Sequence, residues 1–166
     1  MRARHLLSGL LIAACAALVT ACASGTPTPA DEDTAAAQET LSSFLNLLAV
    51  GDYAQAAELY GGPLDSLQVW NPTIGASDVG ALLGYGCESR LLQCLPVRSI
   101  APAGRGAAGE MAFDVEFSLA DGRLFVRGPC CGATSTEMPD QSAFAFRVQP
   151  RAGGGFVVLD LPPYVP

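Results

Sequence analysis

Apolar residues in this chain follow a helical period up to about Cys94 and a period of two beyond it, so both a helical layer and a sheet are required. Ala37, Leu41, Phe44, Leu45 and Leu48 fall at i, i+4, i+7, i+8 and i+11, a single stripe on a helix expected to start at Thr34. Gly51 supplies a stop. Asp52 then reads as an N-cap with Gln55 three positions on, and Tyr53, Ala56, Ala57 and Tyr60 form a second, short helix ending at Gly61-Gly62. A third candidate helix runs from a Ser77 cap through Val79, Leu82 and Leu83, interrupted by Gly80 and Gly84.

In the second half, Met111, Phe113, Val115, Phe117 and Leu119 alternate with Ala112, Asp114, Glu116 and Ser118. Ala120-Asp121-Gly122 reads as a hairpin turn into a strand over residues 123–127. Phe144, Phe146 and Val148 alternate with Ala145 and Arg147, and Gly153-Gly154-Gly155 reverses the chain into residues 156–161. Residues 95–100 are a further strand candidate. Helices first and antiparallel strands afterwards define an α+β domain. With 50% hydrophobic and 15% charged content, 166 residues suit one globular domain and exclude a disordered polymer.

The first 33 residues are of another kind. Arg2 and Arg4 precede an apolar run over residues 6–21, a charged n-region followed by an h-region. The run is shorter than the roughly 20 residues of a membrane span. It ends at Leu18-Val19-Thr20-Ala21-Cys22, which resembles a bacterial lipobox; the earlier Ile12-Ala13-Ala14-Cys15 also fits but leaves too short an h-region. The resemblance implies cleavage before Cys22 and diacylglycerol on its sulfur, hence lipid anchoring on the extracytoplasmic face of a cell membrane. Residues 23–33 (ASGTPTPADED) lack apolar periodicity and are expected to be a flexible spacer, with Asp31, Glu32 and Asp33 solvated rather than binding calcium. The expected organisation is a signal peptide over residues 1–21, an anchor and tether over 22–33, and one domain over 34–166.

Composition narrows the chemistry. The 16 Asp and Glu outnumber 9 Arg, no Lys occurs, and nucleic acid is therefore not an expected partner. The single His is His5, inside the expected signal peptide. Without His or Lys the mature chain has no Ser-His-Asp or Cys-His nucleophile system, Schiff base or Walker lysine. Gly84-Tyr85-Gly86 lacks the third glycine of a dinucleotide loop and reads as a turn. No cofactor is expected. Carboxylate and tyrosine chemistry survives: Asp114 and Glu116 share one strand face about 7 Å apart, a spacing suited to acid and base roles, although alternation alone explains both.

Four cysteines remain after Cys15 and Cys22: Cys87, Cys94, Cys130 and Cys131. In an exported domain they read first as disulfides. Adjacent residues sit about 3.8 Å apart across a trans peptide, below the usual window of about 4.4–6.8 Å, so a Cys130 to Cys131 bridge is strained. Bridges from the Cys87 to Cys94 segment into Cys130-Cys131 are expected instead, a local Cys87 to Cys94 bridge being the alternative. A redox or thiolate-metal site at Gly128-Pro129-Cys130-Cys131-Gly132, with Met138 as a soft ligand for Cu(I), is the functional alternative. Zinc is disfavoured, since no Cys-x-x-Cys occurs and no His survives processing.

Helix, Gly51-Asp52-Tyr53, a short helix ending at Leu59-Tyr60, then hairpin-connected strands resembles the NTF2-like (cystatin-like) superfamily over about residues 34–161. The resemblance implies a curved sheet wrapped around the first helix to form a cone. Isomerases of this family place an aspartate base in the cone with a tyrosine or acid as oxyanion donor; Asp114 and Tyr53 are the analogues by element, without a motif that transfers the roles. Trp70, outside any periodic element, is a candidate for a pocket mouth or a loop anchor. The leading expectation is a non-catalytic domain that binds a small apolar ligand or an envelope protein. Alternatives are an envelope enzyme using a carboxylate base and a structural accessory lipoprotein without ligand.

Overall fold

A computed structural model of the chain describes residues 29–106 and 108–165. The expected signal peptide, Cys15 and Cys22 lie outside these residues. Four helices precede four strands: α1 (Pro29–Val50), α2 (Tyr53–Glu58), α3 (Asp65–Trp70), α4 (Val79–Glu88), β1 (Val97–Arg105), β2 (Met111–Phe117), β3 (Ala143–Pro150) and β4 (Phe156–Val158). The strands form one antiparallel sheet in the order β1-β2-β3-β4. The fold is α+β.

The stripe on α1 is buried in full, with Ala37, Leu41, Phe44, Leu45 and Leu48 each at most 2% exposed. Against it lie Met111, Phe113, Val115 and Phe117 of β2 and Phe144, Phe146 and Val148 of β3. The side chains of Phe44, Phe113, Phe117 and Phe146, all essentially inaccessible, fill the space between helix and sheet. Alternation produces this face: the β2 residues between them point the other way. β1 is an edge strand and carries two irregularities, between Val97 and Ser99 and between Pro102 and Gly104, where its register with β2 shifts. Pro102, which has no N–H to donate, is tolerated at such an edge.

The α1–α2 junction forms as read. The Gly51 N–H donates to the Leu48 carbonyl at 3.2 Å and the Asp52 N–H to Leu47 at 2.9 Å, a Schellman stop that requires the left-handed φ of +83° at Gly51. Asp52 then caps α2 through Oδ1, accepting from the Gln55 N–H at 3.2 Å, while Oδ2 accepts from the Gln55 side chain at 3.0 Å.

Several expectations need correction. α1 begins at Pro29, not Thr34, so residues 29–33 are helical instead of spacer. Proline is preorganised for the first helical position, and Asp31 and Glu32 in the first turn complement the helix dipole. The third expected helix, α4, is capped by Asp78, whose Oδ1 accepts from the Ala81 N–H at 3.0 Å, and not by Ser77. Trp70 is the last residue of α3, a helix too short to show periodicity in sequence. Residues 123–127 form no continuous strand; single bridges join Ser118 to Leu124 and Arg127 to Gln141. The first strand extends over Val97–Arg105, beyond the expected residues 95–100.

The disulfide pairing is also corrected. Cys87 is bonded to Cys94, with Cα atoms 5.5 Å apart, and Cys130 and Cys131 are free thiols. After α4 the chain turns back on itself: Arg90 adopts a left-handed φ of +61°, and the Leu92 N–H donates to the Gly86 carbonyl at 2.9 Å. This local reversal brings Cys94 beside Cys87 before the sheet begins.

Candidate functional site

The enzyme candidates are not brought together. Asp114 is exposed on the face of β2 opposite the core. Glu116 shares that face and accepts a hydrogen bond from the Ser99 hydroxyl at 2.9 Å. Tyr53 packs elsewhere, its ring against Gly84 of α4. Burial, and secondarily the nearby Glu88 carboxylate, push the Tyr53 phenol above its usual range. No polar or charged side chain is buried among the described residues. Tyr60 is the most perturbed phenol: burial foremost, then the Asp160 carboxylate, raise its pKa, and Arg147 opposes them. Its hydroxyl donates to the Pro63 carbonyl at 2.9 Å and its ring stacks on Phe44 at 5.6 Å, a structural placement.

Apolar surface is exposed at another place. Trp70 is 58% exposed, Val69 78%, Val126 46% and Tyr164 39%. The C-terminal segment connects them. It pairs with the stretch enclosed by the Cys87–Cys94 disulfide: the Gln93 N–H donates to the Pro163 carbonyl at 2.9 Å, the Val165 N–H to the Leu91 carbonyl at 3.2 Å, and Tyr164 bridges Leu92. This pairing sets the Tyr164 ring between two recesses.

The first recess, about 290 Å³, lies between Trp70 and Tyr164 and includes Leu67, Leu92, Leu161 and Pro162. Leu67 and Leu92 belong to a small second core with Leu82, so the groove floor is rigid packed hydrocarbon. The Tyr85 hydroxyl donates to the Trp70 carbonyl at 3.4 Å, tying the end of α3 to α4. The second recess, about 360 Å³, lies on the other side of Tyr164, among Phe125, Val126, Cys130 and Met138. The Arg127 guanidinium stands 5.6 Å from the Phe144 ring centroid and also forms part of this recess. Tyr53, the other expected pocket residue, lines neither recess. A broader and more open trough of about 920 Å³ follows the outer face of α1, where Glu39, Ser43 and Asn46 stand beside Leu47, Val50 and Phe156.

Sequence reasoning singled out Trp70 but missed Tyr164. Tyr164 follows Pro162 and Pro163 outside any periodic run, and only the strand-like pairing with residues 91–93 reveals its position. A tyrosine beside two prolines near a chain end was the available signal. No family model matches the chain, and no curated protein or solved structure shows significant similarity to it.

Proposed function

We propose that this chain is a membrane-anchored extracytoplasmic lipoprotein whose NTF2-like domain binds a small apolar ligand without transforming it. The observation that carries the reading is the Trp70–Tyr164 groove: two exposed aromatic residues line one recess together with Leu67, Leu92 and Leu161. Aromatic and aliphatic side chains around one recess suit a compact hydrophobic molecule, and about 290 Å³ is the size of a small ligand site. The net charge of −7 favours a neutral molecule over an anion. Buried phenylalanines fill the space between α1 and the sheet, which favours a ligand site at the surface groove over one inside the proposed cone. Asp114 and Glu116, on the outer face of the sheet, lend the carboxylate-enzyme alternative no support. Anchoring and extracytoplasmic location rest on the lipobox resemblance at Cys22.

Trp70 is the sole tryptophan, so its emission reports the groove directly. Titration with the neutral probe N-phenyl-1-naphthylamine is expected to quench Trp70 saturably. Trp70→Ala is expected to weaken probe binding, read from the probe's own fluorescence, by about tenfold or more, as loss of a contact worth about 1.4 kcal/mol requires. Equal probe binding by wild type and Trp70→Ala, with both folded by circular dichroism, counts against the groove.

A further inference from the structure

Residues 128–140 leave and rejoin the domain at one neck, where the Arg127 and Gln141 backbones exchange hydrogen bonds of 2.8 and 2.9 Å. Inside this loop the Ala133 N–H donates to the Cys130 carbonyl at 2.9 Å, closing a tight turn. Its two central residues are both left-handed, Cys131 at φ +60° and Gly132 at φ +87°. Glycine takes that conformation freely, whereas cysteine is strained there, and strain of this kind gathers at functional positions. The far side of the loop is held by Glu137, whose carboxylate accepts from the Thr134 N–H at 2.8 Å and its hydroxyl at 2.9 Å. The turn brings the Cys130 and Cys131 sulfurs to 2.7 Å from each other. Cys131 is exposed and Cys130 half-buried.

We propose that Cys130 and Cys131 are a thiol–disulfide exchange site that closes to a vicinal disulfide by reaction with a small external disulfide of the glutathione type. The Cys131 thiolate attacks one sulfur of the external disulfide, whose S–S bond breaks; a mixed disulfide forms and one small thiolate departs. The Cys130 sulfur, losing its proton to solvent, then attacks the Cys131 sulfur and expels the second small thiolate. The two cysteines give up two electrons in all, and the external disulfide becomes two thiols that take up the two protons. Two small thiols reverse the sequence.

The order of attack follows from position. Cys131 meets solvent, while the hydrogen bond to Cys131 and burial push the Cys130 thiol above its ordinary range, with the Arg127 guanidinium opposing, so Cys130 is the resolving thiol. Reversibility follows from covalent geometry. Cα atoms of neighbouring residues lie about 3.8 Å apart, short of the ordinary disulfide window, so the closed ring is strained and readily reduced. Cys87 and Cys94, at 5.5 Å, fall within that window and form the stable partner bond in the same molecule.

The test uses the folded full chain with Cys130 and Cys131 reduced. It is exposed to oxidised glutathione, alkylated and digested with trypsin; cleavage after Arg127 and Arg147 isolates a peptide holding these two cysteines and no others. The expected product has lost two hydrogens, with neither alkyl group nor glutathione. Reduced glutathione is then expected to restore two alkylatable thiols under conditions that leave Cys87 joined to Cys94. Cys130→Ser and Cys131→Ser, checked for folding by circular dichroism, should each trap one glutathione, with slower capture in Cys131→Ser. A stable glutathione adduct on the wild-type peptide, two thiols that remain alkylatable after oxidation, or a closed pair that resists reduction as firmly as Cys87–Cys94 would overturn the proposal.

Discussion

Gly84 lies where α4 meets the ring of Tyr53, and a Cβ added there would stand 2.9 Å from a ring carbon. Read from sequence, Gly84 is an interruption of a helix and part of a turn; in the fold it lies inside α4 and is a point of contact, since the Tyr53 ring can approach this closely only where α4 has no side chain. Alanine in place of helical glycine gains about 0.5–1 kcal/mol, but overpacking against a ring costs about 1–3 kcal/mol. Gly84→Ala is therefore expected to destabilise the fold by about 1–2 kcal/mol. At Gly80 the nearest atom to an added Cβ is the Tyr53 carbonyl oxygen at 3.4 Å, an ordinary contact, so Gly80→Ala is expected to stabilise by up to about 1 kcal/mol. Urea midpoints moving in the same direction for the two variants would contradict this account. Tyr60 governs an alkaline limit. Its folded pKa is raised, so the native state holds the phenol proton after the unfolded chain has released it, and stability declines as pH rises above about 10. Below that pH the contribution is fully present. Tyr60→Phe should flatten the decline of the urea midpoint between about pH 9 and 11, leaving the smaller shares of Tyr53 and reduced Cys130, which are raised as well.

At the scale of elements, legibility followed burial. α1, β2 and β3 were readable because each buries one continuous face, and the five-residue stripe on α1 and the alternation of β2 both map onto the core. α3 was not readable, since only Leu67 of its six residues is buried and no period can emerge from one anchor. The run after Gly122 looks like a strand because Phe125 does join Phe117, its N–H donating to that carbonyl at 2.9 Å, but Gly128 and Pro129 then carry the chain away into the cysteine loop. The disulfide pairing depended on the left-handed turn at Arg90, a residue type that gives no warning of it. That turn has an energetic consequence. Cys87 and Cys94 are 7 apart in sequence, and closing so short a loop stabilises by about 2.5 kcal/mol in the chain-entropy model. The double variant Cys87→Ala, Cys94→Ala is expected to lose about that amount in urea unfolding. Because residues 91–93 also hold the C-terminal segment, it should weaken probe binding at Trp70 too. A change in stability under about 0.5 kcal/mol would mean the turn holds without its bond.

At the scale of the whole molecule, the fold class was legible from the change of period, whereas the apolar groove was not, because Trp70 and Tyr164 are 94 positions apart in sequence and meet only through packing. The proposed attachment to a membrane rests on a different part of the chain. Among the described residues no helix is long and apolar enough to cross a bilayer. Cleavage before Cys22 would remove Arg2 and Arg4 but no acid, making the body more acidic than the net −7 of the full chain. An anionic leaflet attracts basic clusters and gives such a body no comparable hold. In the proposed lipoprotein the acyl chains would therefore carry the whole attachment, each buried methylene adding about 0.8 kcal/mol, and two chains suffice for stable anchoring. Cys22→Ala in the native host is expected to shift the protein from the membrane to the soluble fraction and to abolish the acyl mass on its N-terminal peptide. The groove lies in the described domain, beyond the residues 23–28 that separate Cys22 from α1, so quenching of Trp70 by the neutral probe should persist in the released protein. Unchanged membrane fractionation of Cys22→Ala would require an attachment other than lipid at that cysteine.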